Sequence, residues 1–387
     1  MTIRFSTSVT SGLFGIAVLA SPVQATTFVV PSFAIGVLTD DNVFITADNR
    51  QKDVITRLSP GLTAGYESER LQLGASYSQD IESYRDNPDL DATDMRRYAS
   101  ADLLYRLSEL VVFSVDAVHT ESRIPAELNV SSGAGEGRIQ GQRSSINPAL
   151  SYRFSERSSA RIDYTHTRDR LADEAEGETN ALNVEYEHVL TPNSQMTYGY
   201  TYTHFAFDNL MVGTMDQNEA VHTPRIGIVH NFSAFTTLSA QAGPSYSEDE
   251  VGANVAILLQ RRYSNGQFTF GFDRSAASLV GEPGLVELNV VNATMSHDFT
   301  NRFSVNITAS YSEVLRKDIV LSDADVARAS VGARYRINDY TAVDASFSHS
   351  NQHTTLLDRK RSIPRNVAML TLTFSYPRRS EPVAFAR

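Results

Sequence analysis

The sequence predicts an all-β fold, a transmembrane antiparallel up-and-down barrel of about 18 strands, and three observations carry that prediction. Apolar and polar residues alternate with period two in stretches of about a dozen residues along nearly the whole chain. The connections between those stretches alternate between tight and long. No run of about 18 apolar residues follows the N-terminus, so helices do not supply the crossing, whereas strands in which every second residue is polar can. The 387 residues carry no linker or low-complexity break, which predicts one domain, and a mean hydropathy of −0.25 fits the averaging of two unlike faces.

The repeat unit is clearest in Ile146–His166, INPALSYRFSERSSARIDYTH. Ile146, Pro148, Leu150, Tyr152 and Phe154 alternate with Asn147, Ala149, Ser151 and Arg153; after Ser155–Ser158, Ala160, Ile162, Tyr164 and His166 alternate with Arg161, Asp163 and Thr165. That is a β-hairpin with one apolar and one polar face. Its closing signature is an aromatic or His, a spacer, an apolar residue and a small polar residue opening a turn. It recurs as YRLSE at Tyr105, HVLTP at His188, HNFSA at His230, HDFTN at His297 and YRIND at Tyr335.

In chain order this pattern predicts a first strand over Ser32–Phe44, then 54–66, 71–84, 96–106, 111–121, 143–154, 159–169, 179–190 and 195–207. The second half continues with 219–232, 236–247, 252–263, 267–275, 285–299, 303–314, 325–337, 341–351 and 363–376. Tight turns fall at Glu67–Arg70, Ser108–Glu109, Ser155–Ser158, Thr191–Ser194, Ser233–Phe235, Ser264–Gly266, Thr300–Arg302 and Asn338–Tyr340. Most other connections are longer and charged, above all Arg123–Gln142 with Gly133, Gly135, Gly137 and Gly141. Short periplasmic turns and longer extracellular loops mark an outer-membrane barrel, while a sandwich or propeller has no reason to keep its edges so unequal. Strands of about 10–14 residues at ~3.3 Å each, tilted about 40°, span about 25–35 Å and so cross the apolar band.

Lipid offers no hydrogen bonds, so the apolar face points outward: Val111, Phe113, Val115 and Ala117; Leu182, Val184 and Tyr186; Phe303, Val305, Ile307 and Ala309. Tyr, Phe and His gather beside the short turns as an interfacial girdle without Trp. The inward face then holds the candidate pore-lining residues Asp102, Arg106, Asp116, Arg153, Arg161, Asp163, Glu185, Glu187, Asp273, Arg328, Arg334, Arg336 and Asp344. Aromatic residues on this face are few, chiefly Phe205 and Phe207. An interior this wide is expected to hold water unless a loop folds in, and Arg123–Gln142 is the loop that would be either a surface lid or an inward constriction.

Arg4, the apolar Ser11–Ala20 and the small-residue site Val23-Gln24-Ala25 predict a signal peptide cut after Ala25, hence export to a bacterial outer membrane, with the barrel over 26–376. The chain has no Cys, so ladder hydrogen bonds and closure must supply stability. Without Arg4 the formal charge becomes −12, which disfavours nucleic acid as a partner. Pro377 should end the last strand, leaving 377–387 as a basic periplasmic tail.

Catalytic chemistry is not indicated. Nine His residues accompany many Ser and Asp, yet no Gly-x-Ser-x-Gly elbow or comparable motif is present, and no cofactor is implied. His349 and His353 are four apart on a strand, where that spacing does not make a metal pair. Asp86, Asp89, Asp91 and Asp94 lack the central Gly and closing Glu of a calcium loop and suit a solvated loop better.

Thr39-Asp40-Asp41-Asn42-Val43, then Leu58-Ser59-Pro60-Gly61 with Tyr77 and Tyr84, resembles the opening of the β-barrel porin-2 family. That resemblance implies an outer-membrane barrel associated with exopolysaccharide (PEP-CTERM or exosortase-linked) systems, with periplasmic polysaccharide-export components as partners beside the outer-membrane lipid. It carries over no functional residue; Asp40, Asp41 and Asn42 are candidates for a loop-end polar cluster or for strand capping. Three functions stay open at this point: a channel for export or assembly of a surface polysaccharide, a general or specific small-solute porin, and a structural or adhesive barrel without conductance.

Overall fold

The computed structural model describes residues 25–172, 175–209, 217–248, 251–281, 284–316, 323–356 and 359–376. Residues 1–24 of the expected leader, 1–25, and the expected tail, 377–387, lie outside the described residues. Eighteen strands form one antiparallel sheet: β1 (Thr26–Asp40), β2 (Asp53–Glu67), β3 (Leu71–Tyr84), β4 (Ala92–Arg106), β5 (Val111–Ser122), β6 (Gly141–Ser155), β7 (Ser158–Leu171), β8 (Ala175–Thr191) and β9 (Ser194–Asn209) make the first half. The second half is β10 (Gln217–Ser233), β11 (Thr236–Tyr246), β12 (Val251–Tyr263), β13 (Gly266–Ala277), β14 (Val286–Asp298), β15 (Phe303–Arg316), β16 (Asp323–Arg336), β17 (Thr341–Leu356) and β18 (Arg359–Ser375). Each strand pairs with its sequence neighbours, and β1 pairs with both β2 and β18, so the sheet closes into an up-and-down barrel.

The recurrent turn signature has a local cause. In each case its small polar residue turns its side-chain oxygen onto the N–H two residues ahead: Ser108 onto Leu110 (3.2 Å), Thr191 onto Asn193 (3.3 Å), Ser233 onto Phe235 (3.2 Å), Thr300 onto Arg302 (3.2 Å) and Asn338 onto Tyr340 (2.8 Å). A side chain that mimics a main-chain turn lets a strand reverse within a few residues. Just above the turns the rings meet one another, as Tyr152 with Phe154 at 4.7 Å, His230 with Phe232 at 4.7 Å, His297 with Phe299 at 4.5 Å and Tyr340 with Tyr376 at 5.1 Å. This is the aromatic girdle the sequence predicts.

The two faces separate as the period-two pattern requires. Phe33, Ile35, Leu73, Leu150, Ile162, Val184, Ile226, Ile307, Val331 and Leu370 are exposed on the outer wall, an arrangement that suits hydrocarbon and not water. Most of the buried apolar residues among those described instead lie inside the loop end of the barrel, in five clusters, with Val30, Ala149 and Ala342 buried outside them. Strand β1 departs from its expected bounds, beginning at Thr26 rather than Ser32 and ending at Asp40 rather than Phe44. At Asn42 a side chain replaces the ladder: Nδ2 donates to the Thr46 and Pro364 carbonyls (2.8 and 3.1 Å) and the Asn42 N–H donates to Asp40 Oδ1 (3.0 Å). The chain therefore turns inward and buries Val43 and Ile45.

Replacing outward Ile307 by Arg is expected to cost about 2–4 kcal/mol, whereas Thr308→Arg, one residue along and inward, should cost less than about 1 kcal/mol. Urea-titrated folding into lipid vesicles reads both, and equal costs would mean that the faces are misassigned.

Candidate functional site across the barrel mouth

The segment between β5 and β6, residues 123–140, folds inward. Ile124 and Leu128, each 1% exposed, pin its first part to the wall through a single helical turn, Pro125–Leu128. Glu127 on that turn receives Arg96 Nε and Nη2 (2.6 and 2.5 Å) and Ser122 Oγ (2.6 Å), while Arg96 Nη1 also reaches Glu82 Oε1 at 2.7 Å. Burial alone would raise the Glu127 carboxyl, and the neighbouring Arg96 with these hydrogen bonds outweighs it, holding the group below the ordinary carboxylate range.

The middle of the segment reaches the far wall. The Ser132 carbonyl accepts Ser312 Oγ (2.5 Å), the Val130 carbonyl accepts Arg328 Nη2 (3.1 Å), and the Gly135 N–H donates to Gln352 Oε1 (3.1 Å). Glu136 pairs with Arg361 at 3.1 Å. Strand β15 is ten strands from β5 one way round the barrel and eight the other, so the loop crosses close to a diameter. It returns past the 41–52 connection, where the Gly137 N–H donates to the Ile45 carbonyl (3.1 Å) and Arg138 reaches the Val43 carbonyl (3.0 Å) and the Tyr84 hydroxyl (2.5 Å).

Two glycines make this path possible. Gly133 and Gly137 hold φ of +63° and +76°, and a Cβ on Gly133 would run into the Arg328 guanidinium. Ile45, a β-branched residue, is held at φ 55°, a costly conformation that its buried side chain and its bond from Gly137 keep in place.

Both openings beside the crossing are filled. On one side Leu128 packs with Leu171 and Val280, Leu279 with Val286, Leu288 and Val314, and Leu285 with Phe205, Phe207 and Val221. Asn129 ties the two loops together, donating to the Val280 carbonyl at 3.3 Å and accepting its N–H at 2.8 Å. On the other side Val43 joins Leu38, Ile55 and Tyr84, and Ile45 joins Met95, Ile124 and Ile363. Of the two possibilities for Arg123–Gln142, the structure has the inward one; the loop ends at 140 because Gly141 already pairs in β6.

The thirteen candidate pore residues fall on the inward face by strand parity, and the structure sorts them. Arg328 packs against Gly133 in the mouth and anchors the loop. Asp273, bonded by Ser275 (2.7 Å), also lies in the loop half. From mid-barrel to the turns come Asp102 and Asp116, opposite one another in register; Arg161 with Asp163 (3.3 Å); and Glu187, bonded by Ser159 (2.9 Å), with Glu185 two residues before it. Arg334 faces Asp344 at 3.6 Å, with Arg336 beside it, while Arg106 and Arg153 bond the turn carbonyls of Glu69 and Glu109 (2.9 and 3.0 Å). This lower half remains open to solvent, a polar vestibule beneath a packed mouth.

Sequence reasoning missed Arg57, Glu82, Arg96 and Glu127 as a linked set, and Arg225, whose Nη2 meets Asn183 Oδ1 at 2.6 Å in the vestibule. It also offered Phe205 and Phe207 as lumen platforms, but they are 4% and 8% exposed, buried against Leu285; inward Phe28 and Tyr98 are exposed rings instead. Asp40 and Asn42 form a loop-end polar cluster with Arg365, whose Nη2 lies 2.6 Å from Asp40, and Asp41 accepts from the side chain of Asn366 at 2.7 Å. Asp91 and Asp94 are engaged with Tyr84 N–H (2.7 Å) and Arg123 (2.6 Å), and no cluster of three metal-ligating side chains occurs among the described residues.

No family model and no curated protein matches the chain. Among solved structures it is similar to OccAB4 of Acinetobacter baumannii, with 11% identity, 92% of this chain and 100% of that one covered, and a TM-score of 0.46. It is also similar to OpdQ of Pseudomonas aeruginosa (9% identity, 90% and 98% covered, TM-score 0.46) and to the siderophore receptor PirA of Pseudomonas aeruginosa (9%, 89% and 80%, 0.44). At these values the similarity is one of general strand arrangement only.

Because the Glu127 carboxyl is depressed, its hold on the loop is complete above the unfolded value of about 4.3 and is lost as pH falls through the lower folded value. With no native Cys, a spin label at Val130→Cys reports the loop alone. It should be immobile at pH 7 and loosen below about pH 4. Glu127→Gln, weakening the anchor by about 1–3 kcal/mol, should shift the label toward the mobile state already at pH 7.

Proposed function

We propose that the chain is a channel of the bacterial outer membrane, closed at its outer mouth by its own loops and serving export or assembly of a surface polysaccharide. The observation that carries this is the diametric crossing of residues 123–140 above a vestibule that opens on the short-turn side. A conduit arranged in that way receives cargo from the periplasm and must shift its mouth to release it. Small-solute uptake, the alternative, needs a standing passage beside the loop, where Val43, Met95 and Val314 are 0% exposed. A structural or adhesive barrel, the third possibility, has no need of a polar interior.

The wall chemistry suits a hydrated sugar chain. Ser304, Asn306, Thr308 and Ser310 on β15 and Ser346, Ser348 and Ser350 on β17 alternate inward, beside the mixed charges of Arg334 and Asp344. Sugar hydroxyls can trade bonds along such a wall without being held at any one point. Stacking on Phe205 and Phe207 plays no part while they remain buried. Export components would meet the short-turn rim, where a recess of about 860 Å³ lies among Asn265, Thr300, Arg302, Arg336 and Asp339.

In planar bilayers the full chain should conduct little, and a variant lacking residues 126–137 should conduct steadily. Deleting the gene should reduce surface polysaccharide. Steady high conductance of the intact chain with small-solute permeation, or unchanged polysaccharide in amount and place, would overturn the proposal.

A further inference from the structure

The outer wall of the barrel is not uniform. Across β3, β4 and β5, in a row that starts near the turn end of β3 and reaches mid-strand on β5, the outward positions are all small: Ala75, Ala101 and Ala117 are consecutive partners in the ladder, and Ala99 stands one step closer to the loops. With Ile146 as a side wall they form a groove of about 410 Å³ lined mainly by carbon. Tyr77, partner of Ala99 and 45% exposed, stands on its other flank.

Polarity changes along this groove in one direction. At its loop end stand His119, whose Nδ1 lies 2.8 Å from Ser144 Oγ and whose Nε2 lies 3.1 Å from Glu121, and His166, 2.9 Å from Asn180. Arg168 closes that end, paired with Glu176, and Arg97, 2.9 Å from Glu121, stands one row beyond. An apolar trough that ends in guanidinium and imidazole groups at the rim of the lipid-facing belt has the polarity of a single lipid, with tail toward the membrane centre and head toward the loops.

We infer that this groove holds an acyl chain of a phosphorylated lipid of the outer leaflet, with the lipid phosphate at Arg168 and the two imidazoles. The groove is continuous with the lipid-facing surface, so no passage into the protein is needed. Its depth comes from the missing side-chain volume of the alanines, which lets a chain lie against the sheet where elsewhere Leu, Ile and Tyr stand in its way. The head end carries acceptors as well as donors, Glu121 and Glu176 beside Arg97 and Arg168, and so offers partners to headgroup hydroxyls as well as to phosphate. Lipid held here is independent of what the lumen passes.

The test is native mass spectrometry of the full barrel, delipidated and then titrated with hexa-acylated lipid A, with a diacylglycerol as the comparator lacking phosphate. Wild type should retain one lipid A. Ala117→Leu, which fills the groove and keeps the outer face apolar, should weaken retention roughly tenfold, the loss of about two buried methylenes. Ala329→Leu, on the outer wall six strands from β4, should leave it unchanged, and Arg168→Ala should weaken lipid A more than diacylglycerol. Equal retention by wild type and Ala117→Leu, an equal loss in Ala329→Leu, or a lipid-free dimer that Ala117→Leu dissociates would each overturn the inference.

Discussion

In hydrocarbon no water replaces a missing partner, so every strand needs main-chain hydrogen bonds on both sides. Strand β1 receives them from β2 along its full length, Thr26 to Asp40, and from β18 over Ser32 to Asp40. That seam turns a twisted sheet with two edges into a tube with none. Once the tube is closed, parity leaves each side chain only two destinations, lipid or lumen. The apolar outer wall, the girdle of rings and the charged interior all follow from this.

Closure also relocates the hydrophobic core. A soluble domain buries its apolar residues at its centre, but here the apolar face of the wall points outward, as suits hydrocarbon, and among the described residues most of the remaining burial occurs where connections enter the mouth. Residues 41–52, 123–140, 278–281 and 284–285 supply Val43, Ile45, Ile124, Leu128, Leu279 and Leu285, and the loop ends of the strands supply the matching inward Leu38, Ile55, Val286, Leu288, Val314 and Val326. Charges in the same region are linked, Arg57 to Glu82 to Arg96 to Glu127, whereas those of the vestibule make looser contacts. One end of the barrel is thereby organised as packed protein, the other as a wetted surface.

Strand number, turn positions and the two faces were legible in the sequence because each depends on near neighbours. Arg153, Arg161 and Asp163 are inward for the same period-two reason that Leu150 and Ile162 are outward. The filled mouth was not legible, because it depends on partners such as Ser132 and Ser312, 180 residues apart. A partial signal was present. Val286, Leu288 and Val290 break the polar half of the alternation at the loop end of β14, and Ile124, Leu128 and Ile139 are apolar residues in a glycine-rich loop, which water alone would not favour. The displaced end of β1 has another cause: Asn42 diverts the ladder with its side chain, an effect that alternation of hydrophobicity does not register.

The crossing loop sets an order on assembly. Residues 123–140 are made before most of the barrel, yet the groups that hold their far end, Ser312, Arg328, Gln352 and Arg361, belong to the last four strands. Those groups come within reach only when β15 to β18 curve round to meet β1. Until then the loop has one anchored end at Arg96 and no opposite bank, and an unfinished barrel is an open one. The mouth packs shut as a result of the seam closing, so completion of the wall and closure of the passage are one cooperative event.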